Sequence, residues 1–123
     1  MFSNNSSLLN INLSSFDTSN LIYVNHMFHR CSSLTYLNLS NFYTPKVNNF
    51  AGLFVYCSNL NYIDIRRFSN ESVIEKETNT FIFPGKPASG TVYYNSKFLN
   101  EDVINVIFKD WKKININYEL NLQ

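Results

Sequence analysis

The chain has 123 residues, of which 45% are hydrophobic and only 15% charged, and its formal net charge is +1. One domain is the expectation at this length, and near-neutrality offers no electrostatic attraction for nucleic acid or anionic lipid. No apolar run approaches the roughly 20 residues that a membrane span requires, and Met1 and Phe2, followed at once by Ser3 and Asn4, lack the regions of an export signal.

From the N-terminus the sequence repeats every 26 residues, over segments 2–27, 28–53 and 54–73. Phe2, Phe28 and Phe54 align, then Leu8, Leu34 and Leu60, and so do Ile11, Leu37 and Ile63; Leu13, Leu39 and Ile65; Phe16, Phe42 and Phe68; and Leu21, Val47 and Val73. Polar columns run between them: Ser6, Ser32 and Ser58, Asn12, Asn38 and Asp64, and Thr18 with Thr44. The heart of each repeat, as in LTYLNL from Leu34 to Leu39, alternates apolar and polar residues at the period of a strand. One short strand per repeat, each equivalent to the last, predicts parallel pairing at roughly 4.8 Å. Ser, Asn and Thr then suit the turn after each strand, VNHMF and VNNFAGLF suit a short return segment, and Phe16, Phe42 and Phe68 are expected to stack inside.

Beyond Asn70 the spacing loosens. Thr80-Phe81 stands in for the pair Leu53-Phe54, and TVYY from Thr91 to Tyr94 supplies a further strand, making about four turns over residues 1–95. Residues 96–123 read as a cap, with a helix at about 100–112 and a final strand over 114–118. The helix would gather Val103, Ile104, Ile107, Phe108, Trp111 and Ile114 on one face, with Asn100 as N-cap and Glu101 and Asp102 favourable in the first turn. The expected fold is thus an α/β leucine-rich-repeat solenoid with a C-terminal capping helix, whose first repeat is left open to pairing with further repeats or a second copy. Met1 occupies the column of Met27 and Leu53, so the chain begins in register, as the end of a longer array would.

The string MFHRCSSLTYLNLSNFYTPKVNNF resembles the repeat of BspA-type leucine-rich-repeat surface proteins, a likeness that runs from Met1 to about Val73. GTVYYNSKF and the Trp111 segment resemble the part that closes such arrays. The resemblance implies display at a cell surface or outside the cell, with adhesion to host or matrix proteins. Asn5 departs from it, standing where that family generally has the cysteine seen here at Cys31 and Cys57.

With the apolar residues turned inward, three columns face outward: Asn10, Tyr36, Tyr62 and Thr91; Asn12, Asn38, Asp64 and Tyr93; and Ser14, Ser40, Arg66 and Asn95. Tyr and Arg anchor protein interfaces, so Tyr36, Tyr62, Tyr93, Asn38, Asp64 and Arg66 form the candidate partner-binding face. Tyr pairs and Asn ladders also stabilise stacked strands whether or not anything binds, and both readings stand. Cys31 and Cys57, in equivalent places, read as parallel buried thiols rather than a disulfide. His26 and His29 with Cys31 suggest a metal, but Gly52 and Val55 replace the histidines one repeat on, and a solvated surface is the simpler reading. No nucleophile, base and oxyanion group converge and glycine occurs only 3 times, so neither enzymatic activity nor a cofactor is expected. Glu71, Glu75, Lys76 and Glu77 read as solvated charge. The functional expectation is a protein-binding or adhesion module, or alternatively a structural end piece of a repeat array with no ligand of its own.

Overall fold

The computed structural model describes residues 2–9, 11–73 and 83–117. The parts played by Met1, Asn10, Glu75, Lys76, Glu77, Thr80, Phe81 and Tyr118 lie outside them. Among the described residues, four strands and one helix follow in chain order: β1 (Tyr36–Asn38), β2 (Tyr62–Asp64), β3 (Thr91–Tyr94), α1 (Glu101–Ile107) and β4 (Lys112–Asn115). They build one sheet in the order β1-β2-β3-β4, parallel throughout, a repeat-like α/β arrangement. The register matches the aligned sequence columns: Tyr36 pairs with Tyr62 and Leu37 with Ile63, then Tyr62 with Thr91 and Asp64 with Tyr93. Among the described residues no helix is long and apolar enough to cross a membrane.

Alternation dictates which side chains turn inward. Leu37, Ile63 and Val92, at the centres of β1, β2 and β3, are all but inaccessible to water. Behind them Leu39, Ile65, Leu34 and Leu60 join Phe42, Phe50, Phe54 and Phe68 in one core, each contributing about 1.5–3 kcal/mol by burial. On the return side, main-chain N–H groups donate to carbonyls 25 residues on, as from Phe2 to Met27, Asn4 to His29, Phe28 to Leu53 and Arg30 to Val55. Phe2, Phe28 and Phe54 stack along the same direction, with centroids 5.6 and 6.2 Å apart. Thr18 and Thr44 each donate a hydroxyl to the main chain one repeat on, at Tyr43 (2.8 Å) and Ser69 (3.2 Å). At the next position of that column stands Asn70, whose buried amide nitrogen has no hydrogen-bond partner among the described residues.

The first repeat departs from expectation. Phe16 is 40% exposed where Phe42 is 2% and Phe68 1%, because no described segment packs against the outer side of its repeat. Residues 11–13 form no ladder with β1, although Leu13 is buried in the core. Leu9, Ile22 and Tyr23 of the same repeat are exposed as well.

At the other end the expected cap is shorter and more closely integrated. Helix α1 covers Glu101–Ile107 instead of 100–112, with Asn100 capping it by accepting from Asp102 N at 2.8 Å. It stops at Phe108 because the chain must reverse for β4, two residues ahead of the expected 114–118, to lie along β3. Trp111 is therefore on a turn, not on the helix, and Ile114 is in β4. The Lys113 ammonium donates to the carbonyls of Phe108, Lys109 and Trp111, all at 3.1 Å, satisfying main-chain acceptors left over where the helix ends. The indole of Trp111 donates to Pro87 O at 3.0 Å and lies against Phe83 and Phe108.

Gly90 marks where this packing is tightest. A Cβ there would sit 2.5 Å from Asn61 O and 2.9 Å from the Trp111 ring. Gly90→Ala is expected to destabilise by about 1–3 kcal/mol, and Ile63→Ala by about 2–5 kcal/mol, in urea denaturation followed by the fluorescence of the single tryptophan. Leu9→Ser, at a position 73% exposed, is expected to stay within about 0.5 kcal/mol of the parent.

Candidate binding face

Tyr36, Tyr62 and Tyr93 come together on the outer face of the sheet. The rings of Tyr36 and Tyr62 stack at 4.5 Å and 16°, a cross-strand pair set directly by their register. Tyr93, one strand over and two residues on, meets Tyr62 diagonally at 5.4 Å. The Arg66 guanidinium lies 5.7 Å from the Tyr93 ring, within cation–π range. Tyr36 is 46% exposed, whereas Tyr62 and Tyr93 are half-buried.

Asp64 is not the outward contact that the column pattern suggests. Only 4% exposed, it is covered by Arg66, which donates Nε to Oδ1 at 3.0 Å and Nη2 to Oδ2 at 2.7 Å. Asp64 Oδ1 also accepts the Arg66 main-chain N–H at 3.2 Å. Asn38 accepts from Ser40 N at 2.9 Å and Asn12 from Ser14 N at 3.0 Å, so the first three members of this column, Asn12, Asn38 and Asp64, each close an Asx turn at the exit of their repeat's central segment. Asn95 and Asn115 repeat the turn after β3 and β4, accepting from Lys97 N at 2.9 Å and Asn117 N at 3.1 Å. The signal was present in the sequence as Asn or Asp two residues before a Ser or Arg, but reading the column only as an exposed surface missed it. Asn95, placed with Ser14, Ser40 and Arg66 in the third outward column, is buried. Asn38 is exposed, as expected.

On the return side, His26 and His29 meet edge to face at 5.2 Å, and Arg30 lies 5.3 Å from the Tyr56 ring. Among the described residues no three His, Cys, Asp or Glu side chains gather where they could hold a metal ion. Cys31 and Cys57 are buried free thiols. Each donates Sγ–H to the main chain of the preceding repeat, Cys31 to Phe2 O at 3.0 Å and Cys57 to Phe28 O at 2.8 Å.

The family described as Mycoplasma protein of unknown function, DUF285, matches residues 1–85. The chain belongs to that family. No curated protein and no solved structure matches it. The match to DUF285 takes in the three aligned repeats and stops before β3, so Tyr36, Tyr62, Asp64 and Arg66 fall within the family region and Tyr93 beyond it.

Among the described residues of this DUF285 chain, three thiol and phenol groups ionise with difficulty, and burial raises the first of them, the Cys31 thiol, above its ordinary value. Burial pushes the Cys57 thiol from 9.0 up to about 12. Burial, then a hydrogen bond with Tyr93 and the nearby Tyr93, Tyr36 and Asp64 charges, push the Tyr62 phenol from 10.0 up to about 12. These groups are neutral in folded and unfolded chains below about pH 8, so their contribution to stability is constant there. As pH rises from about 8 towards 12 the unfolded chain sheds these protons first, and folding stability must fall. Urea midpoints are expected to hold steady between about pH 7 and 8 and drop above that, with Cys57 unreactive towards iodoacetamide at neutral pH until the chain unfolds.

Proposed function

We propose that the chain is a protein-binding module of adhesion type, carried on a leucine-rich-repeat solenoid of the BspA-like kind and displayed at a cell surface. The observation that carries the reading is the row Tyr36-Tyr62-Tyr93 ending at an Arg66 held in place by Asp64. Stacked rings and a clamped guanidinium lose little side-chain freedom on contact with a partner, which lowers the entropic cost of binding. Large aromatic and Arg side chains are also where binding energy concentrates. The absence of strong net charge fits partners met through contact area rather than long-range attraction.

A second reading is an end piece of a repeat array with no ligand of its own. It is favoured by β4, which follows α1 and extends the sheet beyond β3.

Binding of the purified chain to immobilised extracellular-matrix protein and to animal cell layers separates the two. Saturable binding is expected, and the combined variant Tyr36→Ser, Tyr62→Ser and Tyr93→Ser should weaken it by about 100-fold or more while keeping a cooperative unfolding transition. Undiminished binding by that folded variant sinks the proposed face, and a parent chain that binds neither layer supports the end-piece reading.

A further inference from the structure

The cleft between the first repeat and β1 has the makings of a ligand site in its own right. Residues 11–13 do not join the sheet, yet the two repeats are tied together on either side of that gap. Ser33 Oγ donates to Ser6 O on one side, and Asn41 Nδ2 to Ser14 O at 3.0 Å on the other. Between these ties lies a cavity of about 280 Å³. Tyr36 forms one wall: one face of its ring is taken by Tyr62, and nearly half of the residue remains exposed.

Besides Tyr36, the polar lining comprises three amides and two aliphatic hydroxyls, Asn12, Asn38, Asn41, Ser14 and Ser40, and none of the lining side chains is charged. The Asx turns use only the oxygens of Asn12 and Asn38; their amide nitrogens make no hydrogen bond among the described residues. Leu39 N donates to Asp64 O, so odd positions of β1 face β2. By the alternation of a parallel ladder, the main-chain groups of Tyr36 and Asn38 face the cleft, where no described residue pairs with them.

We propose that this cleft binds a neutral sugar ring, stacked on the open face of Tyr36 and hydrogen-bonded by the Asn12 and Asn38 amides. An amide side chain offers a donor and an acceptor side by side, which suits neighbouring hydroxyls that must do both. The C–H face of a pyranose supplies the apolar surface that an aromatic ring covers. A charged ligand would find no counter-charge here, and a purely apolar one would strand the amides without partners. The inference rests on the reading of this sheet face as a binding surface and assigns one class of ligand to it.

The test is saturation-transfer NMR on the full chain with the methyl pyranosides of glucose, mannose, galactose and N-acetylglucosamine, suited to dissociation constants on the order of 1 mM. At least one glycoside is expected to receive saturation, with Tyr36→Phe retaining the effect and Tyr36→Ser abolishing it. Asn12→Asp and Asn38→Asp keep the turn-forming oxygen, as Asp64 does at the equivalent position, and remove the amide donor. Each is expected to weaken binding about 10-fold or more with no change in the unfolding midpoint. Transfer to none of the four glycosides, or transfer that survives Tyr36→Ser, overturns the proposal. If the matrix and cell layers still bind in a tyrosine-dependent way after that result, only the sugar assignment has failed; if they too are not bound, the binding-face reading fails with it.

Discussion

Each repeat in this protein leaves main-chain groups and apolar side chains that only its neighbour can satisfy. A segment of three strand residues cannot form a stable sheet alone, and a layer one strand wide cannot exclude water from its own Leu and Phe side chains. The remedy is the same at every step. N–H groups of one repeat find carbonyls of the next, Phe28 lies between Phe2 and Phe54, and Cys57 returns a hydrogen bond to Phe28 O. Buried polar groups such as Thr44 are tolerated because the adjoining repeat completes their hydrogen bonds, and the column is less well satisfied where Asn70 takes over.

That translational constraint also builds the outer face. Once apolar residues are drawn inward at a fixed register, whatever lies between them is stacked in rows, and a Tyr at one position meets a Tyr at the next. The row is held at its margin by the Asx turns, which bend the chain away immediately after each strand and bring Arg66 back over Asp64. The same device that ends a strand thus presents a guanidinium beside Tyr93. Rigid placement of these groups comes from the fold itself and requires no partner.

The two ends of the sheet differ for a physical reason. At β4 the chain doubles back through α1 and contributes a strand of its own, so that β3 has a partner on both sides. At the first repeat, residues 11–13 do not enter the ladder, although Ser14 O and Ser6 O beside them are tied to the second repeat by side-chain hydrogen bonds, and the cleft beside Tyr36 opens there.

Much of this was legible without coordinates. The 26-residue period, the strand centres Leu37, Ile63 and Val92, the register of Tyr36 with Tyr62 and of Asp64 with Tyr93, the buried thiols and the Asn100 cap all follow from alternation, column alignment and local capping chemistry. Those features depend on residues close in sequence or on repetition, so a single chain records them. Where α1 stops, why Trp111 leaves it, how Asp64 comes to be covered, and why residues 11–13 stand apart from β1 were decided by the assembled structure. In each case the outcome depends on a segment that the local pattern cannot see: β3 drawing β4 into the sheet, Arg66 folding back, and the lack of a described neighbour outside the first repeat. Periodicity determines which side chains share a face, and tertiary packing decides which of them water still reaches.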